Sequence, residues 1–242
     1  MDAPFDQQRT LLELQAHDSA IDRLNHRRES LPERARLAGL ATNLGAVGQL
    51  VAERQGELAT VSREQARLED EVEMVRRKAE TEEARAISGR VTSPKELTAI
   101  QEEVAALQRR QAVLEDDLLE RMERRETLEA ELAELARRRE SLQGEQAEAA
   151  KARDVAVAEI EHELQVQRAA HAALGPKIGA QLRTLYEQLR ARHGGVGAAA
   201  LVAKTCQGCR VSLSALELKG LRALPPEQIK RCENCRRILV IE

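Results

Sequence analysis

The 242-residue chain has 33% charged side chains, one Phe, one Tyr and no Trp, so it lacks the bulky rings that usually fill a thick globular core. Its net charge of −3 argues against a strongly basic nucleic-acid coat. No stretch supplies the ~20 apolar residues of a membrane span or the apolar centre of a signal peptide. Abundant Ala, Glu, Arg and Leu suit long helices sharing a thin seam. The expected setting is a soluble, cytoplasmic chain with reduced thiols.

Helix signals run from about Asp6 to Ala86. Leu14, Ile21, Leu24 and Leu31 keep heptad spacing in one phase. Leu37, Leu40, Leu44, Val47 and Val51, then Leu58, Val61, Leu68, Val72, Val75 and Ala79, keep it in another. The phase slips around Pro32, which removes one helical hydrogen bond and clashes with the preceding turn, so a kink or break is placed there. Gly39, Gly45, Gly48 and Gly56 weaken the next stretch by roughly 1 kcal/mol each relative to Ala.

A turn is predicted at about 87–93. Ser93, Pro94 and Glu96 then form a helix-start signature with capping-box spacing. From Leu97 to Ile160 a heptad frame has 19 seam positions, thirteen of them Leu, Ile, Val or Ala. Its exceptions include Arg121, Arg125 and Arg139. Sustained seven-residue spacing predicts a coiled coil. Gly175-Pro176 marks the stop after Leu174. Asp6–Ala86 and Pro94–Leu174 make arms of 81 residues each, so residues 1–175 read as a long antiparallel helical hairpin. If facing residue numbers sum to about 180, His17 approaches His162.

Residues 176–197 read as a connecting helix and cap. Ile178, Leu182, Leu185, Tyr186 and Leu189 share one helix face, and HGGVG at 193–197 reads as a flexible glycine-rich end. It lacks the Lys-Ser/Thr of a phosphate loop. Residues 198–242 hold two candidate strands, 198–204 and 236–242. Between them stand all four cysteines of the chain, in the pattern C-x2-C-x22-C-x2-C: Cys206, Cys209, Cys232 and Cys235. Two residues between cysteines let both sulfurs of a tight turn face one ion about 2.3 Å away, and two such turns complete the tetrahedron that zinc prefers. Iron, free thiols and disulfides are the alternatives. The 22-residue spacer accommodates a short helix around Ser214–Leu221. The expected structure is mainly α, a helical hairpin with a C-terminal zinc ribbon whose single structural Zn2+ substitutes for a hydrophobic core.

Two stretches carry a family resemblance: SGRVTSPKEL with the following AIQEEV (88–104), and CQGCRVSL, LELKGL and CENCRRIL (206–239). The chain resembles bacterial coiled-coil hairpin proteins that end in a four-cysteine zinc ribbon. The resemblance implies that the four cysteines are the metal ligands. It also implies an adaptor role near transcription or RNA handling, with an alternative sigma factor of the enhancer-dependent class as partner and, in flagellated bacteria, a flagellin messenger RNA.

Nothing in the sequence reads as catalytic. Glu161-His162-Glu163 lacks the second histidine of a metalloprotease helix, and no Ser-His-Asp set or carboxylate cleft is evident. The expectation is a non-enzymatic adaptor for a protein partner. A nucleic-acid-binding module is the second reading, since residues 201–242 carry eight basic and four acidic side chains. A structural spacer or homodimeric scaffold is the third. No membrane partner is expected.

Overall fold

The computed structural model describes residues 1–241 of the chain. It divides into two compact units: Arg36–Ala149, and Met1–Ala35 together with the chain from Ala150 onward. The three long helices are α1 (Phe5–Glu29), α2 (Pro32–Ile87) and α3 (Pro94–Leu174), of which α2 and α3 cross the bounds between the units. Among the described residues no helix is long and apolar enough to cross a membrane.

In the unit Arg36–Ala149, α2 and α3 form an antiparallel hairpin. Cross-helix ion pairs join Arg36 to Glu145, Arg54 to Glu131, Arg124 to Glu57 and Lys78 to Glu103. Facing numbers therefore sum to 181–185. The seam is thin, as the composition requires. On α2 Leu40, Val47, Val61, Leu68 and Ala79 are buried, and on α3 Ile100, Leu114, Leu128 and Ala149. All nine lie on the heptad frames read from the sequence. Arg121, one of the exceptions in the frame, reaches Glu64 at 3.8 Å across the hairpin. At the turn Gly89 takes φ +69°. Glu96 does not complete a capping box there. Its carboxylate accepts from Arg85 Nη2 at 2.8 Å, because a charged donor outcompetes a neutral amide.

The other unit begins with α1, which ends where Ser30 leaves helical geometry. Its backbone N–H and hydroxyl both donate to the His26 carbonyl oxygen. Pro32 then opens α2 at a first-turn position, where a missing N–H costs nothing. Leu31, between them, is buried with Leu24, Ile160 and Leu164. After Leu174 a single 3-10 turn, Gly175–Lys177, replaces the glycine cap expected from the sequence. Gly175 is not among the glycines of positive φ. Helix α4 (Ala180–Arg192) follows.

The chain then forms a four-stranded sheet, β1 (Ala198–Val202), β2 (Thr205–Cys206), β3 (Lys230–Arg231) and β4 (Ile238–Ile241), in the order β2-β1-β4-β3. The first and last strands pair in parallel, Ala198 with Ile238 through Leu201 with Ile241. Period-two alternation gives the sheet two apolar faces. Ala198, Ile238 and Val240 pack with Leu11 and Leu14 of α1 and with Leu182, Tyr186 and Leu189 of α4. Ala199, Leu201 and Leu239 pack with the cysteines and with Leu221 of α5 (Ala215–Ala223). The expectation that metal stands in for a core thus needs correction. The cysteine domain has an apolar core on each sheet face, and one is completed by helices from outside it.

Candidate metal centre

The two C-x2-C segments fold into a matched pair of tight turns. In the first, Cys206 N–H donates to the Val211 carbonyl oxygen (3.1 Å) and Arg210 N–H to that of Cys206 (2.7 Å). In the second, Cys232 N–H donates to the Arg237 carbonyl oxygen (3.1 Å) and Arg236 N–H to that of Cys232 (2.8 Å). Arg210 and Arg236 each take φ +60° directly after the second cysteine, which turns the chain back on itself. Each turn also aims amides at its first sulfur, Gly208 and Cys209 at Cys206, Asn234 and Cys235 at Cys232.

This geometry brings all four sulfurs within 4.8 Å of one another. Across the two turns Cys206 and Cys235 sulfurs are 4.0 Å apart, and those of Cys209 and Cys232 3.9 Å. Four thiolates tetrahedrally placed 2.3 Å from one ion lie about 3.8 Å apart, so the donor set fits a metal without rearrangement. Cys206 and Cys232 are fully buried. Burial raises both thiols, and Cys232 is pushed up to about 12. Burial acts the same way on Cys235, but hydrogen bonds from the Arg237 backbone and side chain and from Cys232 and Cys209 outweigh it and bring this thiol down to about 7. An ion taking all four sulfurs would leave no position for water or substrate.

Residues outside the motif hold the turns in place. Arg237 donates from Nε to the Val196 carbonyl oxygen (2.9 Å) and from Nη2 to that of His193 (3.0 Å), tying the second turn to the segment after α4. Gly208 fits against Arg237 and Ala199, where a Cβ would sit 2.9 Å from the Arg237 Cδ and 3.0 Å from the Ala199 Cβ. The HGGVG segment is packed rather than loose. A Cβ on Gly197 would lie 2.6 Å from the Tyr186 carbonyl oxygen. The buried Gln15 of α1 accepts from Gly197 N–H (2.7 Å) and donates to the Gly195 carbonyl oxygen (2.9 Å). At the other side of the domain, Gln8 donates to the Ala3 and Pro226 carbonyl oxygens, and Ala3 N–H donates to that of Glu227.

Sequence reading missed these supports because their signal is polar. Gln8, Gln15 and Asp18 are buried on α1 off the apolar stripe. Asp18 accepts from the Tyr186 hydroxyl at 2.6 Å and stands 3.3 Å from His171 Nε2 and 3.4 Å from Arg190 Nε. His17 does not pair with His162. Its Nδ1 stands 2.6 Å from Gln167 Oε1, the hairpin register being a few residues longer than 180.

The CT398-like coiled coil hairpin domain family matches residues 14–194, which end before the first cysteine. An uncharacterized protein of Mycobacterium tuberculosis strain H37Rv is 34% identical over 240 residues, 99% of this chain and 97% of its own. An uncharacterized protein of Mycobacterium leprae is 32% identical over 202 residues, 83% of this chain and 86% of its own. A solved structure from Mycobacterium smegmatis is 37% identical with a TM-score of 0.87, covering 100% of both chains. CT398 from Chlamydia trachomatis shares the fold, with a TM-score of 0.73 at 18% identity over 98% of both chains.

Proposed function

The chain belongs to the CT398-like coiled coil hairpin family, and from that premise we propose that it is a non-enzymatic adaptor. One structural Zn2+, held by Cys206, Cys209, Cys232 and Cys235, fixes a small platform that carries a protein partner. The observation that carries this reading is the closed set of four sulfurs, all within 4.8 Å, two of them fully buried. Such an ion shapes the surface around it and does no chemistry of its own. The platform presents Leu216 at 81% exposure with Val211 and Arg210 also outward, an apolar and basic surface that a partner would cover. The resemblance points to a component of the transcription machinery, such as a sigma factor.

The test is a pull-down from cells after cross-linking, comparing the wild type with Leu216→Glu and Cys206→Ser. Both variants are expected to lose the wild-type partner, while Leu216→Glu keeps about one zinc per chain by elemental analysis. Retention of the partner by both variants would overturn the adaptor reading, and iron in place of zinc would overturn the identity of the ion. Nucleic-acid binding is the second reading, favoured by the exposure of Arg210, Arg231 and Arg236. It requires binding of RNA or DNA to weaken steeply between low and physiological salt, because phosphate contacts release counterions. A flat response removes it.

A further inference from the structure

Lys230, the first residue of β3, is only 8% exposed. Its ammonium donates to the Pro225 carbonyl oxygen at 3.2 Å, and among the described residues it has no carboxylate partner. A buried ammonium beside a single neutral acceptor lacks the compensation that buried charges normally require. It lines a cavity of about 170 Å3 together with Phe5, Arg222, Leu224, Pro226 and Ile241. Among the described residues, two cations and four apolar residues form that lining, with no anion. Phe5 also begins α1, whose N-cap Pro4 makes no side-chain capping bond, so the positive end of the helix adds to the potential there. Asp6, in the same first turn, is not part of the lining.

We propose that this cavity binds a carboxylate carried on a small apolar body, the chemistry that the C-terminal residue of a peptide presents. The volume equals about six waters, room for roughly one amino-acid residue. Lys230 and Arg222 meet the anionic head while Phe5, Leu224 and Ile241 cover the body. A phosphate fits less well, since its further oxygens would face apolar walls without donors. The site goes beyond the adaptor reading and does not depend on it, for its lining includes none of the four cysteines and not Leu216, although Leu224 and Ile241 also pack against the cysteine core.

The full chain is titrated with N-acetyl-leucine, followed by calorimetry and by amide chemical shifts. Binding is expected to the wild type, and at least tenfold more weakly to Lys230→Met, which keeps the side-chain bulk without the charge. N-acetyl-leucinamide, lacking the carboxylate, is expected to bind the wild type at least tenfold more weakly than the acid, which tests the charge without altering the protein. The free acid 4-methylpentanoate separates the sources. Equal affinity assigns the site to small carboxylic acids, and tighter N-acetyl-leucine assigns it to peptide termini. Equal binding of acid and amide would overturn the proposal, as would no binding of the acid at about 10 mM. So would binding that appears only in Glu242→Gln, because the side-chain carboxylate of Glu242 would then be the occupant.

Discussion

Arg210 and Arg236 hold φ +60°, a left-handed conformation that costs a residue with a Cβ about 1–2 kcal/mol and that glycine adopts freely. Replacing either by Gly relieves that cost and adds chain entropy to the unfolded state. Stability is therefore expected to stay level or rise by up to about 1 kcal/mol in chemical denaturation. A marked loss would mean that the guanidinium itself holds the turn. If the arginines serve the partner, the same variants keep their metal and lose affinity.

Tyr186 offers a second check at this scale, because it is the only tyrosine and there is no tryptophan. Burial, then its hydrogen bond to Asp18 and the charge of that carboxylate, push the phenol far above its ordinary value of 10.0. A raised pKa favours the protonated phenol in the folded state. Its contribution to stability is therefore complete below about pH 10 and declines as pH rises further. Ultraviolet titration should show no phenolate until alkaline unfolding, and Tyr186→Phe should flatten the alkaline limb of the stability curve. At neutral pH that variant leaves Asp18 short of a donor and costs about 1–2 kcal/mol. A phenolate signal near pH 10 in the folded protein would contradict the buried geometry.

The helices divide into positions that bear stability and positions that do not. Leu128 is fully buried in the α2–α3 seam and Leu119 is 58% exposed on the same helix. Leu128→Ala is expected to cost about 2–4 kcal/mol and Leu119→Ala under about 0.5, compared by urea midpoints. Gly197→Ala should also destabilise by about 2–3 kcal/mol, since the new methyl would meet backbone atoms that cannot move aside.

The heptad frames of α2 and α3 were legible because a seam of Leu and Val repeats strictly, and Leu174 was legible as the end of α3 because glycine and proline follow it. The four cysteines were legible from spacing alone. The role of α1 was not. Apolar periodicity placed it in the hairpin through Ile21, Leu24 and Leu31, and Ile160 and Leu164 of α3 do meet that face. Its other face turns Gln8, Gln15 and Asp18 inward to answer backbone and side-chain groups that lie far along the chain. No hydrophobic pattern can reveal a buried glutamine whose partners are amides. The parallel pairing of β1 with β4 was hidden for the same reason, since each strand was readable but the register belongs to tertiary contacts.

At the scale of the whole molecule, removal of the proposed ion should separate what metal holds from what apolar packing holds. The Cys206 and Cys232 turns carry the four sulfurs that such an ion would draw together, whereas Ala198, Ile238 and Val240 pack with α1 and α4. Chelation at neutral pH should speed amide exchange at residues 205–213 and 231–237 and leave most helical ellipticity in place. Collapse of the helical signal would instead make the ion the keystone of the entire fold. Metal retention should fall as pH drops, because protons compete for the thiolates.

The bonds that anchor α1 also set a timetable. Gln15 meets Gly197 and Gln8 meets Pro226, separations of 182 and 218 residues. A ribosome adding about 5–20 residues per second needs roughly 10–40 s to make the second partner after the first has emerged. Throughout that interval the first helix waits with Leu11 and Leu14 uncovered, while α2 can already zip against the growing α3. The earliest residues of the chain are thus the last to find their place, and a nascent chain halted before residue 197 should bind a trigger-factor-type holdase that the finished protein ignores.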